Sequence, residues 1–305
     1  MRLRDQVAIV TGAGGGIGSA VVKALAAEGA AVIANDYGVT LDGKEPSNAA
    51  ADAAVKVVID SGGRAFAHYG SIADFNVAQE VVEIALSKFG RLDILITPHG
   101  ILRERMVFNM SETEWKDVID VHLNGTFNLV RFASAHMRQQ RSGSMVLVTS
   151  NAGLEGSAGQ ANYAAAKLGI VGLAYATALA MGKYDVNVNV LAPHASTRMT
   201  DRLRAEFFGD RERPDATTAA AVAVALVCPE ARAITGQIYT GGGGHVARWS
   251  QPVEVEHAFR ERNWTTGEVL ETITSTFTAP PLARFERQGL KTPAGPETSG
   301  AGAES

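Results

Sequence analysis

The 305-residue sequence contains a single cysteine, Cys228, so no intrachain disulfide can form and a reducing compartment suits the chain. It also lacks any block of basic residues. With 28 Lys and Arg against 32 Asp and Glu, the formal charge is −4, which provides no field for a phosphate backbone or an anionic lipid surface. Long apolar runs are missing as well: the longest, Ala219 to Cys228, is far below the ~18–20 residues of a membrane span. Met1 to Gln6 leads straight into an apolar segment without the pattern of a signal peptide. His68, His122, His136, His194 and His245 are scattered, with no cysteine or acidic partner at ligand spacing, which predicts no metal site. These absences predict a cytoplasmic globular protein without nucleic-acid or membrane partners. What the chain does have is 46% hydrophobic residues and 32 glycines, and the placement of the glycines organises everything that follows.

Seven short apolar runs read as strands: Val7–Thr11, Ala31–Asn35, Arg64–Tyr69, Leu92–Thr97, Met145–Thr149, Val186–Leu191 and Gln237–Thr240. Continuous rather than alternating hydrophobicity suits strands buried on both faces, and the spacers are long enough for crossover helices. Helices are expected at Ile17–Glu28, Asn48–Asp60 and Phe75–Lys88, each ending beside a glycine able to stop it in the left-handed conformation, and again at Asn162–Met181 and Ala216–Cys228. Glu112–Gln140 is too long for one unbroken helix with Asn124-Gly125 inside it, so a bend or irregular turn is expected there. The pattern predicts an α/β fold: a single doubly wound Rossmann-type domain over residues 1–244, with a seven-stranded parallel sheet and helices on both faces. A helical extension over 245–290 follows, with helices around Val253–Arg262 and Thr266–Thr276. Residues 291–305 have no apolar content to bury and are expected to be a disordered tail.

The first strand runs through Thr11 into Gly12-Ala13-Gly14-Gly15-Gly16-Ile17-Gly18 and then a helix. Glycine permits a tight turn and a close approach of backbone to a pyrophosphate, and the helix start supplies free N–H groups and partial positive charge. The second strand ends at Asp36, about 18 residues beyond Gly18, near the ~20 expected of a carboxylate that binds an adenosine ribose. No Arg or Lys lies within the glycine turn or beside Asp36, so NAD rather than NADP is the expected cofactor.

Tyr163 and Lys167 are four apart on a predicted helix and therefore share a face. A protonated amine near a phenol lowers its pKa from the usual ~10 and lets it act as a general acid/base. Ser150 closes the fifth strand about 13 residues earlier, at the strand end where parallel sheets bind ligands.

Taken together, the glycine turn, Asp36, Asn124, Ser150 and the run Tyr163-Ala164-Ala165-Ala166-Lys167 resemble the short-chain dehydrogenase/reductase family over roughly Leu3 to Gly243. The resemblance implies reversible alcohol–carbonyl interconversion, with Tyr163 as acid/base and Ser150 on the substrate oxygen. It implies that Lys167 binds the nicotinamide ribose and depresses the phenol pKa, while Asn124 holds a relay water. It places the cofactor against Gly12, Gly14, Gly16, Ile17, Gly18, Asp36, Ser71, Ile72, His99, Gly100, Tyr163, Lys167 and Thr197. It also implies a homo-oligomer, dimer or tetramer, associating through the helices around Glu112–Gln140 and Asn162–Met181. Three stretches are similar to the (3R)-hydroxyacyl-CoA dehydrogenase domains of peroxisomal multifunctional enzymes and their bacterial relatives: Asn35–Ser47, Gly100–Arg105 and Leu191–Thr200. They imply a small-molecule substrate such as a 3-hydroxyacyl-CoA or a bulky hydroxysteroid-like alcohol.

The sequence departs from that family at Thr97-Pro98-His99-Gly100, where Asn-Asn-Ala-Gly is usual; a histidine can titrate near neutrality and serve catalysis, but packing or a surface hydrogen bond is the favoured reading of His99. Arg198, Arg202 and Arg204 lie where a substrate lid is expected, as a solvated mixed-charge helix or as partners for CoA phosphates. Two rival readings remain: an NADPH-dependent 3-oxoacyl reductase, which cofactor preference separates, and a non-catalytic NAD-binding sensor or scaffold, against which the complete Asn124, Ser150, Tyr163, Lys167 set speaks.

Overall fold

A computed structural model of the chain describes residues 1–195 and 215–277. The strands are β1 Val7–Thr11, β2 Ala31–Asn35, β3 Arg64–His68, β4 Ile94–Thr97, β5 Gly143–Val148, β6 Val186–Pro193, β7 Ile238–Gly242 and β8 His245–Arg248. They form one sheet in the order β3-β2-β1-β4-β5-β6-β7-β8. The order reverses between β1 and β4, and the crevice outside the carboxyl ends of strands at such a switch is where ligands bind in open α/β sheets.

The expected seven-stranded parallel sheet is corrected to eight strands, because β8 pairs antiparallel with β7. Gly243 and Gly244 take φ of 55° and 50°, the consecutive left-handed pair that a two-residue hairpin turn demands. β8 escapes a search for apolar runs because it is a mostly exposed edge strand. Contacts group Met1–Ser250 into one compact unit and the residues from Gln251 onward into another. In that second unit no α-helix forms over 253–262. The helix starts at Thr266, where Thr265 and Glu268 form a reciprocal capping box that the earlier segment lacks.

In the first unit the helices are α1 Gly16–Ala27, α2 Ala49–Asp60, α3 Phe75–Phe89, α4 Glu112–Ile119, α5 Gly125–Gln140, α6 Asn151–Glu155, α7 Ala161–Met181 and α8 Thr217–Ala225. Successive strand residues point to opposite sides of the sheet. Val7, Ile9, Ile33, Leu95 and Leu147 therefore pack in a core layer with residues of α3, α5 and α7. Ala8, Val10, Val32, Ile96 and Val148 pack in the other layer with α1, α2 and α8. Two buried layers explain the unbroken hydrophobicity of the strands, each fully buried Ile, Leu or Val contributing about 1.5–3 kcal/mol. Ala161–Tyr184 has the length and hydropathy of a membrane span, yet α7 packs on β6 and carries the buried Lys167. The irregularity expected near Asn124-Gly125 is a π-helical turn, Asp120–Asn124, between α4 and α5.

Candidate active site

The turn from β1 into α1 is compact because its glycines are in contact with backbone and side chains. Gly12 has φ 58°, and a β-carbon there would lie 2.8 Å from His99 Cα. A β-carbon on Gly14 would meet Ala50 Cβ at 2.5 Å, and one on Gly18 would strike the Gly12 carbonyl. No side chain caps the N-cap residue of α1, Gly15, so the first N–H groups of the helix are available to an anionic ligand. Beside this turn Asp36 is gripped by two backbone amides: Gly14 N–H donates to Oδ2 and Gly38 N–H to Oδ1, each at 2.7 Å. A cavity of about 390 Å³ opens here, lined by Gly12, Gly16, Ile17, Gly18, Asp36, Ser71, Ile72, His99 and Gly100. A glycine turn too closely packed for a β-carbon at Gly12, Gly14 or Gly18, with helix N–H groups left open beside a fixed carboxylate, fits a nicotinamide dinucleotide. Gly14 does not line this cavity but holds Asp36, which does, and Thr197, Arg198, Arg202 and Arg204 lie outside the described residues.

At the carboxyl end of β5, Ser150 is the N-cap of α6 and accepts a hydrogen bond from Ala152 N–H at 3.2 Å. On α7, Lys167 Nζ lies 5.6 Å from the centre of the Tyr163 ring and donates to the Val148 carbonyl at 2.8 Å. Gly153 on α6 allows this approach, since a β-carbon there would be 2.8 Å from Lys167 Cβ. Lys167 is 3% exposed, and burial pulls its pKa down to about 7. Burial also pushes the Tyr163 phenol above its ordinary value, opposed by its interaction with the Ser150 side chain. The structure thus brings Ser150, Tyr163 and Lys167 together, but desolvation rather than the lysine dominates the phenol.

Asn124 is not drawn into this cluster. It is exposed, and its Nδ2 donates to Asp120 Oδ1 at 2.8 Å, one turn back. His122 takes the inward place. Its ring meets Tyr163 edge-on, with centroids 5.0 Å apart and an interplanar angle of 89°. Nε2 lies 2.8 Å from the Ile101 carbonyl, whereas Nδ1 is buried without a hydrogen-bond partner among the described residues. Burial first, then the charge of Lys167, lowers the His122 pKa well below the usual histidine value. The sequence signal for His122 was absent because an ordinary helical period does not anticipate the extra residue of a π-turn.

His99 is a second buried imidazole, with Nδ1 2.6 Å from Thr11 Oγ1 and Nε2 3.4 Å from Thr126 Oγ1. Burial and the nearby Lys167 lower its pKa to about 3, so of the readings open in the sequence the packed, hydrogen-bonded one agrees with the structure and titration near neutrality does not. It ties the glycine turn to the start of α5 as a neutral cross-brace.

A family model described as short chain dehydrogenase matches residues 6–207. Among curated proteins, the chain is 37% identical over 244 residues to the peroxisomal multifunctional enzyme type 2 of Drosophila melanogaster, covering 80% of this chain but only 40% of that protein. It is 36% identical over 294 residues to a hydroxyacyl-CoA dehydrogenase of Mycobacterium tuberculosis, covering 90% of this chain and 89% of that one. The crystal structure of a short chain dehydrogenase from Mycobacterium avium superposes with a TM-score of 0.79 at 38% identity, covering 90% of this chain and 95% of that one. With the doubly wound sheet, the glycine cradle and the clustered Ser150, Tyr163 and Lys167, these likenesses make the chain a member of the short-chain dehydrogenase/reductase family and an oxidoreductase.

Proposed function

We propose that the protein is an NAD-dependent dehydrogenase that interconverts a secondary alcohol and its ketone, acting on a 3-hydroxyacyl-CoA or a similarly bulky alcohol. The observation that carries the cofactor choice is Asp36, whose carboxylate is aimed by the Gly14 and Gly38 amides at 2.7 Å. Each oxygen keeps acceptor capacity for the ribose hydroxyls of NAD, and the negative charge repels the 2′-phosphate of NADP. Bound nicotinamide supplies the hydride acceptor or donor. Ser150 would hold the substrate oxygen, and Tyr163 would take the hydroxyl proton during oxidation or return it during reduction. Lys167 would bind the nicotinamide ribose and, as an ammonium, favour the phenolate. The substrate class is supported by the hydroxyacyl-CoA dehydrogenase likeness and by the Gly100–Arg105 stretch. Exposed Phe127 on α5 and Leu168 and Leu179 on α7 support association of copies through these helices.

The test is a panel of 3-hydroxyacyl-CoA esters and hydroxysteroids, followed by the absorbance of NADH. NAD-dependent turnover that disappears in Tyr163→Phe, with NAD binding retained, is expected. A preference for NADPH would replace this reading with that of a 3-oxoacyl reductase.

A further inference from the structure

Asn35 and His68 are cross-strand partners at the carboxyl ends of β2 and β3, and both are buried. The Asn35 main chain is held in place, its carbonyl accepting from Ala13 N–H at 3.0 Å. Its side-chain Nδ2 makes two contacts, one at 3.2 Å to the Gly70 carbonyl and one at 2.9 Å to His68 Nδ1. A carbonyl oxygen only accepts, so the first contact fixes the atom facing Gly70 as the amide nitrogen. The second contact then requires a bare lone pair on His68 Nδ1. That puts the imidazole proton on Nε2, the nitrogen 4.0 Å from a Glu80 carboxylate oxygen. Burial, opposed by the Glu80 charge, lowers the His68 pKa and so favours this neutral, accepting form. Both hydrogens of the Asn35 amide are thereby used, while Oδ1 takes no hydrogen bond among the described residues. Asn35 borders the same cavity as its neighbour Asp36 and as Gly70, Ser71 and Ile72.

We propose that Asn35 is a specificity-determining residue of the dinucleotide site: its Oδ1 accepts a hydrogen bond from the exocyclic amino group of the adenine base, and His68 holds the amide that way round. The inference rests on the cavity being a dinucleotide site with Asp36 on the adenosine ribose. The base is joined to that ribose, and the residue beside Asp36 offers a side-chain carbonyl whose orientation is already set. A base with a carbonyl in place of the amino group would bring two acceptors face to face and leave both unpaired. The amide cannot relieve this by turning over, because Oδ1 would then confront the Gly70 carbonyl and the His68 lone pair together. Asp36 thus selects the sugar and Asn35 the base.

The test compares equilibrium binding of NAD with that of nicotinamide hypoxanthine dinucleotide, which keeps both riboses and the pyrophosphate and exchanges the base amino group for a carbonyl. Isothermal titration of the unmutated protein is expected to show NAD bound more tightly by about 10-fold or more. In Asn35→Leu, which fills the space without an amide, the ratio should fall to within about 3-fold of unity, chiefly through weaker NAD binding. His68→Leu leaves Asn35 in place but removes its acceptor, and it should also lower the ratio, since only the Gly70 carbonyl then holds the amide. A ratio unchanged in either folded variant overturns the role, and so does the absence of a preference in the unmutated protein. Should the variants fail to fold, nitrogen-15 resonances of His68 in the unmutated protein decide. A protonated Nε2 with an unprotonated Nδ1 supports the inference, and a protonated Nδ1 overturns it. Binding of neither dinucleotide would instead overturn the reading of the cavity itself, an outcome distinct from tight NAD binding with an unaltered ratio.

Discussion

Gly100 and His122 compete for the same volume: a β-carbon on Gly100 would lie 2.8 Å from His122 Nε2 and 2.9 Å from Nδ1, with Cε1 closer still. The glycine that survives in the altered Thr97-Pro98-His99-Gly100 segment is therefore required by a histidine on another element, whatever backbone freedom it also offers. Gly100→Ala should displace the ring, cost about 1–3 kcal/mol of stability through overpacking, and lower turnover more than it weakens NAD binding. Urea denaturation and kcat measured beside the NAD dissociation constant check this.

Removing the Asp36 carboxylate takes away the partner of the Gly14 and Gly38 amides as well as the proposed ribose acceptor. Asp36→Ala is expected to weaken NAD by about 10–100-fold, in keeping with about 1.5–3 kcal/mol for hydrogen bonds to a charged group. Discrimination against NADP should relax at the same time. Fluorescence titration with both dinucleotides measures it, and unchanged NAD affinity would remove Asp36 from the site.

The lysine makes stability depend on pH in a definite direction. Its folded pKa is about 7 against an ordinary 10.5, so between these values the unfolded chain binds more protons and stability rises with pH. Below about pH 7 the cost of the buried charge is fully present. Lys167→Met should therefore gain stability over wild type most at pH 6, with the gain shrinking toward pH 10.5, while turnover is lost. Denaturation of both proteins across that range provides the comparison, and a pH-independent difference would contradict the buried ammonium.

His99, with its pKa near 3, should show no titration between pH 5 and pH 9, which its ring-proton resonances report. Replacing it by alanine removes the imidazole partner of Thr11 Oγ1 and of Thr126 Oγ1, the latter still donating to the His122 carbonyl at 2.6 Å. His99→Ala is expected to raise the KM for NAD by about 3–10-fold with a smaller effect on kcat, the size of one or two lost neutral hydrogen bonds. A change confined to kcat would place His99 in proton transfer instead.

The parts of the site that were legible beforehand are those encoded over short distances. A glycine turn between an apolar run and a helix, a carboxylate at the end of β2, and two side chains four apart on α7 depend on local periods that survive in any tertiary context. Asn124 received its role from the family resemblance rather than from any local period, and the structure leaves it exposed with Asp120 as its partner. The π-turn at Asp120–Asn124 adds a residue, which rotates the helical phase by about 100° and turns His122 inward. β8 escaped because an exposed edge strand needs no apolar run, and the pairing of β7 with β8 depends on two left-handed glycines.

By itself the sequence determined the alternation of strands and helices, the parallel core, the cradle and the Tyr163–Lys167 spacing, since each follows from hydrophobic period and glycine placement along the chain. Only the tertiary structure decided which histidines are interior, how they are braced to Thr11, Thr126 and Ile101, and that Lys167 and Tyr163 both shift against ionisation. Those properties come from desolvation by residues remote in sequence, and an ionisable group's environment is set by what surrounds it in space, not by its neighbours along the chain.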